Sequence, residues 1–210
     1  MAVGRIVLFR RHGQFLSGCM RQDPAGHLYV ALENGKTFKI NPQQLVAETD
    51  LQVNENSLKE WREFHEAASE RLDFREIWQL VQGEVPYLTL EQLADLIWGS
   101  IADDRYRATL KINLAAGTPY FVPDGENWRP RSAQDLEQFF NAQENRRSSE
   151  EEETNFISWL NGDHLLETWT SQQLNSLESL RQLAVFGDNS PSSGKARRIL
   201  RRLIPKCPDW

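Results

Sequence analysis

The sequence predicts an α+β protein: a small SH3-like β-barrel, then a winged-helix (helix-turn-helix) domain, then a helical region. Three observations carry this. Short runs rich in β-branched and aromatic residues, broken by turn dipeptides, fill the first fifty residues. Capped, amphipathic segments then precede an extended hairpin. Beyond Ser132 the apolar residues recur at helical spacing.

The β runs are Arg5–Arg10, Phe15–Gln22, His27–Leu32 and Thr37–Ile40, separated by His12-Gly13, Asp23-Pro24-Ala25-Gly26 and Asn34-Gly35. Asn-Gly between apolar runs is a strong hairpin signal, because both turn positions need φ > 0. Asn41-Pro42 breaks the sheet, and Leu45-Val46-Ala47 forms a last short strand. So small a sheet leaves free edges unless it closes, hence the barrel over 1–50. Leu51–Ser57 is a polar lead into a helical connector, 51–70, whose Leu58, Trp61, Phe64, His65 and Ala68 recur at helical spacing.

The winged helix is expected over 71–131. Asp73 with Glu76, flanked by Leu72 and Ile77, reads as a capped and stapled helix start, and Thr89 with Gln92 repeats it between Leu88 and Leu93. Pro86 and Gly99 are the stops. A third helix opens at Asp103-Asp104 and ends near Gly117, with Tyr106, Leu110 and Leu114 on one stripe. Tyr120-Phe121-Val122, a turn at Pro123–Asn127, and Trp128-Arg129 then form the wing.

In the helical region, 132–210, Ser132 opens a helix carrying Leu136, Phe139 and Phe140. Asn145–Glu153 is helix or loop, and Phe156, Trp159 and Leu160 start another stripe. Ser171 is expected to cap a helix bearing Leu174, Leu177, Leu180, Leu183 and Ala184, with Gly187 behind it. A basic helix, Lys195–Leu203, precedes Pro205. Lys206–Trp210 reads as the approach to a next element, so the chain is expected to continue past Trp210.

Composition narrows the function. No apolar run nears the roughly 18 residues of a membrane helix, and no secretory leader pattern opens the chain. A cytoplasmic protein is the expectation, with Cys19 and Cys207 as reduced thiols. His12, His27, His65 and His164 have no metal-ligand spacing. Phosphate-loop, dinucleotide, nucleophile-elbow and zinc-protease motifs are missing, so this chain by itself is not expected to be an enzyme, and no cofactor or metal is expected in it. Asp103-Asp104, with Asp95 nearby, reads as helix capping rather than a two-metal site, and Glu150–Glu153 as a solvated helix face.

Binding is the better expectation. Net charge is −6, yet Arg10, Arg11, Arg21, Lys36 and Lys39 cluster on the barrel. Arg107 and Lys111 share a face of the third helix, with an ion pair to Asp104 as the plain alternative for Arg107; Arg105 points elsewhere. Arg129 and Arg131 flank Pro130 on the wing, where Trp128 either stacks on a base or packs beneath the hairpin. Such residues suit phosphate contact without a base-edge code.

The stretches "GRIVLFRRHGQFLSGCMRQDPAGHLYVALENGKTFKINPQQL", "LTLEQLADLIW", "PYFVPDGENWRPRSAQDLEQF", "NFISWL" and "LNSLESLRQLAVFGD", in this order and spacing, resemble the N-terminal region of bacterial ribonuclease II-like (RNB-family) exoribonucleases of the cyanobacterial and Deinococcus style. The resemblance implies a front end that engages single-stranded RNA and gates it toward a downstream catalytic domain in the same chain. There an aspartate cluster and Mg hydrolyse RNA from the 3′ end. It carries no catalytic residue onto this chain; Arg107, Lys111, Arg129 and Arg131 match only in place. A winged-helix DNA-binding regulator and a protein-interaction module are the other two expectations.

Overall fold

The computed structural model describes residues 3–162 and 169–204; His164, Cys207 and the stretch from Pro205 onward lie outside the described residues. The fold is mixed α+β, a five-stranded antiparallel sheet followed by helices. It divides into two compact units, Met1–Glu137 and Gln138–Trp210, described in turn.

The first unit opens with β1 (Val3–Arg11), β2 (Gln14–Gln22), β3 (Leu28–Ala31), β4 (Thr37–Ile40) and β5 (Leu45–Asn54). Their spatial order is β4-β3-β2-β1-β5, so β5 crosses back to the far edge of β1 after a 3-10 turn at Pro42–Gln44. The β1–β2 turn is the two residues His12 and Gly13, both at positive φ (48° and 80°), the twist a tight hairpin needs. At the second turn Asp23 accepts the His27 N–H at 2.8 Å, and at the third Asn34 accepts from Lys36 N–H at 3.1 Å.

β5 is the first departure from the sequence reading. It continues through Leu51–Asn54, pairing Val53 with Gly4 and Asn54 with Val3, where a polar connector is expected. The long strand is kept because Leu51 and Val53 pack into a cluster that local sequence does not reveal.

That cluster comes from burial of β1 on both faces, a continuous apolar run rather than an alternating one. Val7 and Phe9 face one side of the sheet, with Val30 and Ile40. Ile6 and Leu8 face the other way, with Cys19 and Ala31, against Leu58 and Trp61 of α1 (Leu58–Ser69) and Ala108 and Ile112 of α4 (Asp104–Ala116).

Between these helices lie α2 (Phe74–Val81) and α3 (Leu90–Trp98). Asp73 caps α2 by accepting from Arg75 and Glu76 N–H, and Thr89 with Gln92 forms the expected capping box on α3. α2 stops at Val81 before Gly83 (φ 78°), five residues ahead of Pro86. Gly99 (φ 62°) ends α3 as expected.

β6 (Phe121–Asp124) and β7 (Asn127–Pro130) form the terminal hairpin. Leu88, between α2 and α3, exchanges two backbone hydrogen bonds of 2.8 Å with Trp128, so it acts as a third strand beside the hairpin. Ile77, Val81, Leu88, Leu93, Leu110, Leu114 and Phe121 build the core here, and Trp78 Nε1 donates to Arg131 O at 2.7 Å.

α5 (Ala133–Leu160) is one continuous helix of 28 residues, so Asn145–Glu153 is helical. Ser132 Oγ accepts from Asp135 N–H at 3.0 Å at its start.

In the second unit α5 is followed by α6 (Ser171–Phe186) and α7 (Ser193–Leu203). Phe156, Ile157 and Ile199 form its core with Trp159, Trp169, Leu180 and Leu203 around them.

Three expectations are corrected here. Thr170, not Ser171, caps α6, through a capping box with Gln173. The buried stripe of α6 is Gln173, Ser176 and Ser179, while Leu174 and Leu177 are exposed. Ser176 and Ser179 donate to the carbonyls of Gln172 and Asn175, so small polar side chains are buried without loss, and α7 brings Ala196 to a matching buried position. Finally, Glu153 is not a solvated residue: its carboxylate, 10% exposed, is clasped by Arg198 at 2.7 Å and Arg202 at 3.1 Å.

Candidate nucleic-acid interface

The basic residues of the first unit fall into three groups. On the five-stranded sheet, Arg10 and Phe15 are direct cross-strand partners beside the His12-Gly13 turn, so their side chains lie on the same face. The Arg10 guanidinium stands 5.9 Å from the Phe15 ring centroid, and Phe15 is 46% exposed. Arg11, next along the strand, turns to the opposite side and stacks its guanidinium 3.7 Å from the centroid of Phe38, which packs against the Val7, Phe9, Val30 and Ile40 cluster. Lys36 and Lys39 are exposed. Lys39 opposes Tyr29, which opposes Arg21, giving a basic–aromatic–basic row across three strands.

Carboxylates separate these residues from their neighbours. Arg5 pairs with Glu48 at 2.6 Å, Arg21 with Glu55 and Arg62 with Glu33. Among the described residues, Arg10, Arg11, Lys36 and Lys39 form no ion pair.

The second group is on α4. This helix is covered on both sides: Ala108 and Ile112 meet the sheet, and Leu110 and Leu114 meet the core formed with α2, α3 and the hairpin. Arg107 and Lys111 remain half-buried on the strip between. Arg107 makes the ion pair to Asp104, at 3.1 Å. The Glu91 carboxyl is held below the usual carboxylate range, first by its own backbone N–H, then by the Thr89 hydroxyl, with smaller effects from the Arg107 and Lys111 charges. The field of this pair is therefore shared with two acids. Arg105 points away, as expected, and lies 4.0 Å from the Phe64 ring.

The third group is on the terminal hairpin. Arg129 and Arg131 line one groove of about 600 Å³ with Gln79 of α2, Gln82 just beyond it, and Ser132. Trp128 is half-buried and packs against the helical core.

Arg129 and Arg131 thus line one groove, and Arg107 and Lys111 share one helix face. Arg10 and Arg11 are split to opposite faces by the strand pleat. Sequence reading missed the aromatic members Phe15, Phe38 and Tyr29, and the groove residues Gln79 and Gln82. For Phe15 the signal is present in the sequence, since a two-residue turn at His12-Gly13 pairs it with Arg10. Gln79 and Gln82 carry no such signal, because their proximity to the hairpin depends on packing.

The remaining chemistry is structural. Asp103 caps α4 by accepting from Arg105 and Tyr106 N–H. Cys19 is buried, donates to Val53 O at 3.5 Å, and its thiol is pushed up in pKa by that burial. Among the described residues no group of three His, Cys, Asp or Glu side chains converges to hold a metal ion, and no helix is long and apolar enough to cross a membrane. Comparison with protein-family models, with curated proteins and with solved structures finds no match to this chain.

Proposed function

We propose that this chain engages single-stranded RNA, in the role played by the front end of a ribonuclease II-like 3′→5′ exoribonuclease, passing substrate toward a separate hydrolytic domain to which Mg would belong. The observation that carries the reading is the unopposed charge on and beside the sheet: among the described residues Arg10, Arg11, Lys36 and Lys39 form no ion pair, and Arg10 and Arg11 lie beside Phe15 and Phe38, while Arg5, Arg21 and Arg62 are each paired with a glutamate. Free cations beside aromatic rings suit a flexible phosphate backbone and unstacked bases.

Two features support the finer fold assignment. The β4-β3-β2-β1-β5 order, with a 3-10 turn before β5, agrees with an SH3-like barrel. The Leu88–Trp128 bridge between α2 and α3 agrees with the strand that a winged helix places there.

A DNA-regulator role is less well supported. It needs the third helix of the motif, α4, in a major groove, and α4 is sandwiched between the sheet and the helical core.

The test is fluorescence anisotropy with a labelled 12-nucleotide RNA at low salt. Binding is expected, with log K falling by roughly 0.7 per phosphate contact for each decade of salt. Arg10→Glu with Arg11→Glu, and separately Arg129→Glu with Arg131→Glu, are each expected to weaken it at least about tenfold, roughly 1.4 kcal/mol. Lys111→Glu is expected to do less, and duplex DNA to bind more weakly than the RNA. No binding by the wild type, or equal binding by both double variants, ends this reading.

A further inference from the structure

We propose that Phe15 is a stacking platform for one unpaired nucleobase, with Arg10 beside it for the adjoining phosphate; this rests on the single-stranded RNA reading above and names the residue that takes a base.

The outward face of the sheet is covered unevenly. On β1 and β2 the pairs Ile6–Cys19 and Leu8–Ser17 lie on that face, and Ile6, Leu8 and Cys19 are buried beneath α1 and α4. The next pair along, Arg10–Phe15, is exposed. A large apolar ring therefore sits at a hairpin end that the fold does not close over, where a polar residue would serve the strand equally well.

The two arginine–phenylalanine contacts of this hairpin differ. Arg11 lies close on Phe38, at 3.7 Å, and occupies that ring face. Arg10 stands at 5.9 Å from Phe15, near the outer limit of a cation–π contact, and leaves the ring accessible. A planar base fits an open ring face, and every base has one; a base inside a duplex has both faces occupied by its neighbours.

The platform is also held in place. The two-residue turn at His12 and Gly13 fixes the hairpin, and Gln44 Nε2 donates to the Arg10 carbonyl at 3.5 Å from beyond β4. Little ordering is left to occur on binding.

The experiment uses the full chain and an oligouridylate carrying one 2-aminopurine, whose fluorescence changes when it stacks. Phe15→Ala and Phe15→Leu are both expected to lose the 2-aminopurine change and to bind roughly five- to a hundredfold more weakly. Phe15→Trp is expected to retain both, and affinity for duplex RNA to stay the same throughout. Arg10→Gln is expected instead to reduce the salt slope by roughly 0.7. A thermal melt within a few degrees of wild type shows that the hairpin is intact. If Phe15→Ala and Phe15→Leu bind and report stacking as wild type does, while the arginine reversals still weaken binding, the platform is refuted and the RNA reading survives. If the wild type binds no RNA, both fall.

Discussion

At the scale of single residues, the most constrained positions are those where the sheet leaves no room for a side chain. A Cβ on Gly18 would stand 2.6 Å from the carbonyl oxygen of Ala31 and 2.6 Å from Val30 Cγ1, and a Cβ on Gly4 would collide with the Met20 carbonyl. Gly18→Ala must move backbone, so a loss of about 1–3 kcal/mol is expected in urea denaturation. His65 on α1 is constrained for a different reason. Its ring stacks on Trp61 at 5.4 Å, its Nδ1 has no partner among the described residues, and burial lowers its pKa, opposed more weakly by Glu66. A histidine whose folded pKa lies below its unfolded value of roughly 6.5 favours folding while neutral. The stability it contributes is complete above that value and is lost as pH falls toward the folded pKa. The melting temperature is thus expected to drop on acidification below about pH 6.5, and His65→Phe, which keeps the stack without the proton, is expected to remove part of that drop.

At the scale of elements, two polar contacts join segments distant in sequence. Trp78 Nε1 on α2 donates to the carbonyl of Arg131 at 2.7 Å, tying that helix to the residue that closes the terminal hairpin. In the second unit Glu153 of α5 bridges Arg198 and Arg202 of α7. Glu153→Gln removes the charge and one of the two acceptor oxygens from between two partly exposed arginines, so it is expected to cost about 1 kcal/mol. Glu150→Gln, on the exposed side of the same run, is expected to cost less than about 0.5 kcal/mol. Equal losses in thermal denaturation would show that the clasp contributes nothing. Element boundaries were readable wherever capping chemistry is local: Asp73, Thr89 and Asp103 start their helices where the side chains require. They were misread where tertiary packing decides. Thr170 and Ser171 are both acceptable caps by composition, and the extra length of β5 exists because Leu51 and Val53 meet α1 and α4.

At the scale of the whole molecule, a net charge of −6 conceals an uneven distribution. In the first unit Arg5, Arg21, Arg62 and Arg107 are held in ion pairs, while among the described residues Arg10, Arg11, Lys36 and Lys39, on and beside the sheet, are not. The sequence by itself determined the α+β class, the starts of the helices capped by Asp73, Thr89 and Asp103, the hairpin turns and the elements that carry basic residues, because capping, turn geometry and hydrophobic period act over a few neighbours. Only the tertiary structure decided which charges are free. Nothing in the sequence distinguishes Arg10 from Arg21, since the neutralising Glu55 is brought in by the return of β5. Likewise only the sandwiching of α4 between sheet and helical core limits what Arg107 and Lys111 can reach, and only the edge of α1 and α4 leaves Phe15 uncovered. Those outcomes depend on contacts between residues tens of positions apart, and no local pattern encodes them.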